Sequence, residues 1–220
     1  MLTVTGRKSA GRRRGEAGFS LIELMVALGV TLVIMVIATR LLSMSMFVRQ
    51  RENQRSEAVA DVQRALQAMS REISNAGLGM TNNGLVAADS NDISIRIRSN
   101  LNAFCGTPTP CDGDTAQADE DVVFTMINNN TGGEEQKLLT RQDVNTKAIS
   151  PLANRVDGLS LAYLKADGTA AATPSAASRV RITVTVDLPA VGSPNAPGYQ
   201  PASRMRLISD ALLRNNVLTQ

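Results

Sequence analysis

Three sets of residues in this 220-residue chain have types and spacings that could do chemistry. The first is Glu23, the one acid in an apolar run over residues 19–39, where the nearest other charges are Glu16 and Arg40. A carboxylate at a bilayer centre costs ~2.5–3.5 kcal/mol on insertion scales, so an acid in such a run is a functional candidate by default. The blander alternative puts Glu23 near an interface, at a helix N-terminus whose dipole and water stabilise it unaided. The second set is Cys105 and Cys111, which enclose "GTPTP". They suit a disulfide, whereas a structural metal would want more thiolates or imidazoles and the chain has no His. The third is the acidic stretch "CDGDTAQADED" (111–121), where Asp112 and Asp114 could hold calcium. It departs from the EF-hand pattern, and a solvated acidic loop is the simpler reading. Catalysis finds little support in the remaining residues. With no His, no glycine-rich phosphate loop and no nucleophile motif, an enzyme would rest on scattered carboxylates. The expectation is a non-enzymatic protein without a cofactor.

The element that must carry Glu23 is a helix. Residues 19–39 span ~30 Å when helical, enough to cross a bilayer core. Directly before them lie Arg7, Lys8, Arg12, Arg13 and Arg14 against Glu16, a net of +4 over residues 1–18. The whole chain carries +3, so residues 19–220 carry −1, which argues against a strong nucleic-acid footprint. The basic flank predicts a cytoplasmic N-terminus with everything after residue 39 across the membrane. A buried core helix and a cleavable secretory signal peptide are the alternatives. The first conflicts with the basic flank, and "IATRLLSMSM" (37–46) is a poor small-residue cleavage site for the second. Outside the cytoplasm disulfides persist. A Cys105–Cys111 bridge would close a short loop and contribute ~2–2.5 kcal/mol in the chain-entropy model.

The stretch "GFSLIELMVAL" (18–28), with its basic leader and the apolar run behind it, closely resembles the processing site of type IV prepilins and the pseudopilins of type II secretion. The resemblance implies that a prepilin peptidase cuts after Gly18 and methylates the new N-terminal residue, Phe19. It also implies that Glu23, the fifth mature residue, pairs with the free N-terminal amine of a neighbouring subunit during assembly. A buried charge is stabilised by an opposite one, and Phe19 supplies an ammonium only after cleavage.

The helix is expected to continue past the membrane. Val59, Val62, Leu66, Met69 and Ile73 recur at helical spacing, no Pro occurs between Phe19 and Ala76, and Gly77 reads as the C-cap. After residue 80 the period becomes that of strands: 92–98 with Ile93, Ile95 and Ile97 on one face, then 121–127, 136–142, 158–164 and 179–188. In the last, Val180, Ile182, Val184, Val186 and Leu188 face inward. Gly-, Asn- and Pro-rich loops separate them, including 189–203. The predicted fold is α+β: a long N-terminal α-helix, membrane-spanning in its first half, packed on a C-terminal antiparallel β-sheet head. The division is a leader at 1–18, a membrane or filament-core helix at 19–45, its amphipathic continuation at 46–77 and a periplasmic or extracellular head at 78–220.

"SREISNAGLGM" (70–80), "VDGLSLAYLKADGT" (156–169) and "LLRNN" (212–216) resemble minor pilins of the PilW type and the J-type minor pseudopilin. Major pilins usually carry a helix-kinking Pro where this chain reads "VIATRLL" (36–42), and many close a C-terminal disulfide, whereas this cysteine pair lies mid-chain. The resemblance therefore implies a low-copy pilus subunit that helps prime or cap the filament. The implied partners are the peptidase/methyltransferase, other minor pilins, the major pilin and the inner-membrane assembly platform. The implied location is the inner membrane, then the cell surface. A secretion pseudopilin, and a signal-anchored periplasmic binding module or adhesin, are the alternatives.

Overall fold

The computed structural model describes residues 18–103, 113–129 and 136–215. One helix, α1 (Leu21–Asn75), runs unbroken from the apolar segment into the head. Among the described residues seven strands follow: β1 (Ser94–Arg98), β2 (Asp121–Asn129), β3 (Gln136–Asp143), β4 (Ile149–Ala153), β5 (Val156–Leu164), β6 (Arg179–Leu188) and β7 (Ser203–Leu212). They form two antiparallel sheets, ordered β1-β2-β3-β4 and β5-β6-β7. The fold is thus α+β, one long apolar-to-amphipathic helix on a sheet head.

The second half of α1 lies against β7, with β4 and β6 beside it. Its buried stripe is Ala58, Val62, Ala65, Leu66, Met69 and Ile73. The stripe is therefore one residue earlier at its start than the spacing suggests. Ala58 is buried and Val59 only half so. Val62, Met69 and Ile73 are wholly buried, each contributing about 1.5–3 kcal/mol. Facing them are Val180, Ile182, Val184, Val186 and Leu188 of β6, all inward as the alternation predicts.

Four local features differ from the sequence reading. Ile93 is exposed and outside β1, because the Asn91 carboxamide oxygen accepts both the Ile93 and the Ser94 N–H, holding a turn there. Gly77 is not the residue that closes α1. The helix ends at Asn75, Ala76 leaves it with ψ 142°, and the Gly77 N–H donates to the Arg98 carbonyl beside β1. Gly77 has φ +76°, and a Cβ there would stand 2.4 Å from the Asn82 carbonyl oxygen, so glycine is required by the crossing of two chain segments. The carbonyls of Asn75 and Ala76 are instead met by the Asn215 side chain from the far end of the chain. The last two differences are extra strands, β4 and β7. β4 sits at a sheet edge, where Pro151 lacks a ladder donor at little cost.

A charged side chain of the helix also joins it to the head. Arg51, 8% exposed, donates to the carbonyls of Pro189 and Pro201 and to the Ser203 hydroxyl. These three acceptors mark the two ends of the β6–β7 connection, so a single guanidinium gathers the root of that loop onto the helix.

Candidate functional site

The candidate site begins just before the helix. Ser20 occupies the N-cap with φ −68° and ψ 141°, and the Leu24 N–H closes the first turn on its carbonyl at 3.1 Å. Ser20 and Glu23 have the spacing of a reciprocal capping box, a local sequence signal for the start of the helix. The Ser20 side chain nevertheless makes no capping bond. Glu23 is the acid of the first turn, exposed, and takes part in none of the ion pairs formed among the described residues. The helix dipole favours a negative charge there, while the carboxylate oxygens stay open to an external donor. Phe19, 83% exposed, lies one turn below. At Gly18 an added Cβ would meet nothing within 4 Å, so the chain's own packing does not demand glycine at this position.

From residue 21 through residue 38 the helix is bare. Its apolar side chains are exposed on every face, and none of its most apolar 18-residue window is buried. It is long and apolar enough to cross a membrane. Monomeric soluble proteins seldom expose contiguous apolar patches beyond a few hundred Å², so lipid or other protein must cover this surface. Thr31, Thr39 and Ser43 direct their hydroxyls back to the carbonyls of Ala27, Met35 and Thr39 at 2.7, 2.7 and 3.0 Å. Their polar groups are thereby satisfied inside the helix, as an apolar surrounding requires.

In the head, charged groups serve structure. Burial would raise the Asp121 carboxyl's pKa, but hydrogen bonds from Arg96 and Arg98 outweigh it and hold the pKa below the usual carboxylate value. Arg141 ties α1 to the sheet through Glu72 at 3.0 Å and also holds Asp119 at 2.7 Å. Burial pushes the Tyr163 hydroxyl up to about 12, and it donates to the Asn91 carbonyl at 2.9 Å. Among the described residues no group of three or more His, Cys, Asp or Glu is placed to hold a metal ion. Asp114 is exposed and accepts the Ala116 N–H. Asp112, Cys105 and Cys111 lie outside the described residues.

A bare apolar helix with an acid in its first turn, long and apolar enough to cross a membrane, continues here into a sheet-bearing head. Residues 13–39 match the family model of the prokaryotic N-terminal methylation motif. No curated protein and no solved structure matches the chain. The motif supports a type IV pilin or pseudopilin, a structural class rather than a catalytic one, and implies processing by prepilin peptidase and assembly into a filament.

Proposed function

We propose that this chain is a minor type IV pilin of the PilW kind, a low-copy subunit that helps prime or cap the pilus. In this reading the peptidase removes residues 1–18 by cutting after Gly18 and methylates Phe19. The mature helix crosses the inner membrane with its N-terminus cytoplasmic and its head periplasmic. Glu23 then neutralises the N-terminal amine of a neighbouring subunit, and the helix passes into a filament beside major and other minor pilins.

The observation that carries the reading is the pairing of the methylation motif with a helix surface left uncovered over residues 21–38. The open site at Gly18 adds support. Since packing within the chain tolerates a side chain there, the demand for glycine fits a peptidase that must approach the backbone closely. Mass spectrometry of membranes from a peptidase-positive host tests this. The expected mature N-terminus is Phe19 with one methyl group, and Gly18→Val should leave the leader attached. Wild-type protein that keeps its leader throughout would refute the proposal.

A further inference from the structure

The β6–β7 connection, residues 189–202, does not fold back over the sheet. From its root at Arg51 it runs along α1 toward the bare segment, and its tip lies on the helix at Met44. Gly198 has φ +84°, and a Cβ there would sit 2.8 Å from the Met44 Cα. The loop backbone therefore rests directly on the helix backbone. At Gly192, higher in the loop, an added Cβ would meet the Phe47 ring at 3.7 Å, an ordinary contact. Between tip and helix is a groove of about 540 Å³ lined by Thr39, Arg40, Ser43, Phe47, Ala196 and Pro197.

Three independent features of this groove fit one occupant. Its floor, Arg40, is the first charge after the apolar run, ~30 Å along the helix from Phe19, where the outer phosphates of a bilayer would lie. Arg40 joins none of the ion pairs among the described residues, so its charge is uncompensated by the protein. The loop itself, residues 188–203, has no charged side chain in a chain that is 20% charged. It therefore carries no acid to repel phosphate and no base to draw water. The groove also gathers aromatic character from a chain that has only 3% aromatics: Phe47 lines it, and Tyr199, one of two tyrosines, follows in the loop. Aromatic residues are enriched at membrane interfaces, where one end of the ring is apolar and the other wet. The Thr39 and Ser43 hydroxyl protons are spent on helix carbonyls, which leaves Arg40 as the phosphate donor of the groove.

We propose that Arg40 and the tip of the β6–β7 loop form a phospholipid-docking surface. Arg40 takes the headgroup phosphate, and Phe47, Ala196 and Pro197 cover the glycerol and upper acyl region beside it. The head is thereby seated on the outer leaflet of the membrane at a fixed height before the subunit leaves it. The inference rests on the membrane-spanning reading of residues 19–39, and its test separates the two.

The chain has no Trp, so a single introduced indole is an unambiguous depth probe. The full chain is reconstituted into vesicles of phosphatidylethanolamine and phosphatidylglycerol containing lipids brominated either near the headgroup end or near the methyl end of the acyl chain. Three variants are compared: Pro197→Trp at the loop tip, Val33→Trp inside the apolar run, and Asp167→Trp in the exposed turn between β5 and β6. Pro197→Trp is expected to be blue-shifted and quenched by shallow bromines, Val33→Trp by deep ones, and Asp167→Trp by neither. Adding Arg40→Glu to Pro197→Trp is expected to abolish most of the shallow quenching. Ala196→Trp serves if circular dichroism shows that Pro197→Trp perturbs the head. A loop-tip probe that behaves like Asp167→Trp while Val33→Trp is quenched overturns the docking surface and leaves the membrane span standing. An unquenched Val33→Trp overturns both. Shielding of the loop-tip probe that grows with the protein-to-lipid ratio, without bromine quenching, places a second protein chain in the groove and overturns the lipid assignment. Full shallow quenching in the presence of Arg40→Glu removes Arg40 from the phosphate role and overturns the proposal as stated.

Discussion

Replacing Arg51 by Met should destabilise the head by about 3 kcal/mol, by a route that the loss of a single contact would not give. The side chain is 8% exposed and feeds three acceptors: the Pro189 carbonyl, the Pro201 carbonyl at 2.9 Å and the Ser203 hydroxyl at 2.6 Å. Hydrogen bonds to a charged group contribute about 1.5–3 kcal/mol each, but burying a guanidinium with no carboxylate beside it costs several kcal/mol in return. The net value of Arg51 is therefore small. What dominates on substitution is three acceptors left without a donor, at about 1–3 kcal/mol each. All three bonds are only partly buried, so water reaches the orphaned oxygens and the low end of that range applies. Met fills most of the aliphatic volume and keeps cavity costs small. With a urea slope of about 1–3 kcal/mol per M, the unfolding midpoint of the full chain in detergent should fall by about 1–3 M. Amide exchange should rise first in residues 189–203. Arg51→Lys should fall between, because an ammonium keeps the charge but not the planar fork. The exposed neighbour change Arg55→Met should stay within about 0.5 kcal/mol. A midpoint for Arg51→Met equal to that of Arg55→Met would refute the reasoning about orphaned acceptors.

Glu23→Ala should insert and be cleaved normally but accumulate in the inner membrane, since neither insertion nor cleavage uses the proposed pair and losing the charge eases membrane residence. A pulldown of the minor-subunit complex with a count of surface filaments checks this, and wild-type values in both would return Glu23 to the dipole-and-water reading. Asp121 makes the head sensitive to acid: its folded-state pKa lies below the ordinary value of about 3.9, so its stabilising effect is complete above that value and is lost as pH falls through the depressed one. Urea midpoints should therefore hold steady from pH 7 to about 5 and drop below about 4, and Asp121→Asn should weaken the head at neutral pH by about 2–4 kcal/mol while flattening that drop. Cys105 and Cys111 are expected to be bridged in protein exported to the periplasm, with a joined peptide in a non-reducing digest and only modest destabilisation in Cys111→Ser; quantitative thiol labelling of the unreduced protein would contradict it.

The strongly patterned parts of the fold were legible because burial there coincides with residue type. β6 alternates apolar and polar residues over its full length, and α1 has no Pro to interrupt it. β7 was not read, because its inward positions include Ser209 and Ala211 while Ile208 and Leu212 face out at 59% and 58% exposure. Its inward serine is explained only by a partner 139 residues away: Ser209 meets the Ser70 hydroxyl on the helix at 2.8 Å. Arg51 was missed for the same reason. A charged residue two turns before an apolar stripe reads as solvated until the carbonyls it serves, from distant prolines, are brought beside it. Asn215 as the true helix cap is likewise invisible locally. Near the N-terminus the situation reverses, since the segment that reads most clearly in sequence, residues 19–38, is exposed along its whole length.

The unbroken course of α1 has a mechanical consequence. The helix is about 80 Å long, and its bare end and its buried stripe share one axis. Its grip on the head, from Arg51 to Ile73, extends ~33 Å parallel to that axis. A pull on the membrane end therefore loads Arg51, Val62, Leu66, Met69 and Ile73 together in shear, whereas a sideways pull would peel them away one after another. Shear across many parallel contacts resists far larger loads than sequential peeling does, so the head follows the helix as one body under a pull along its length.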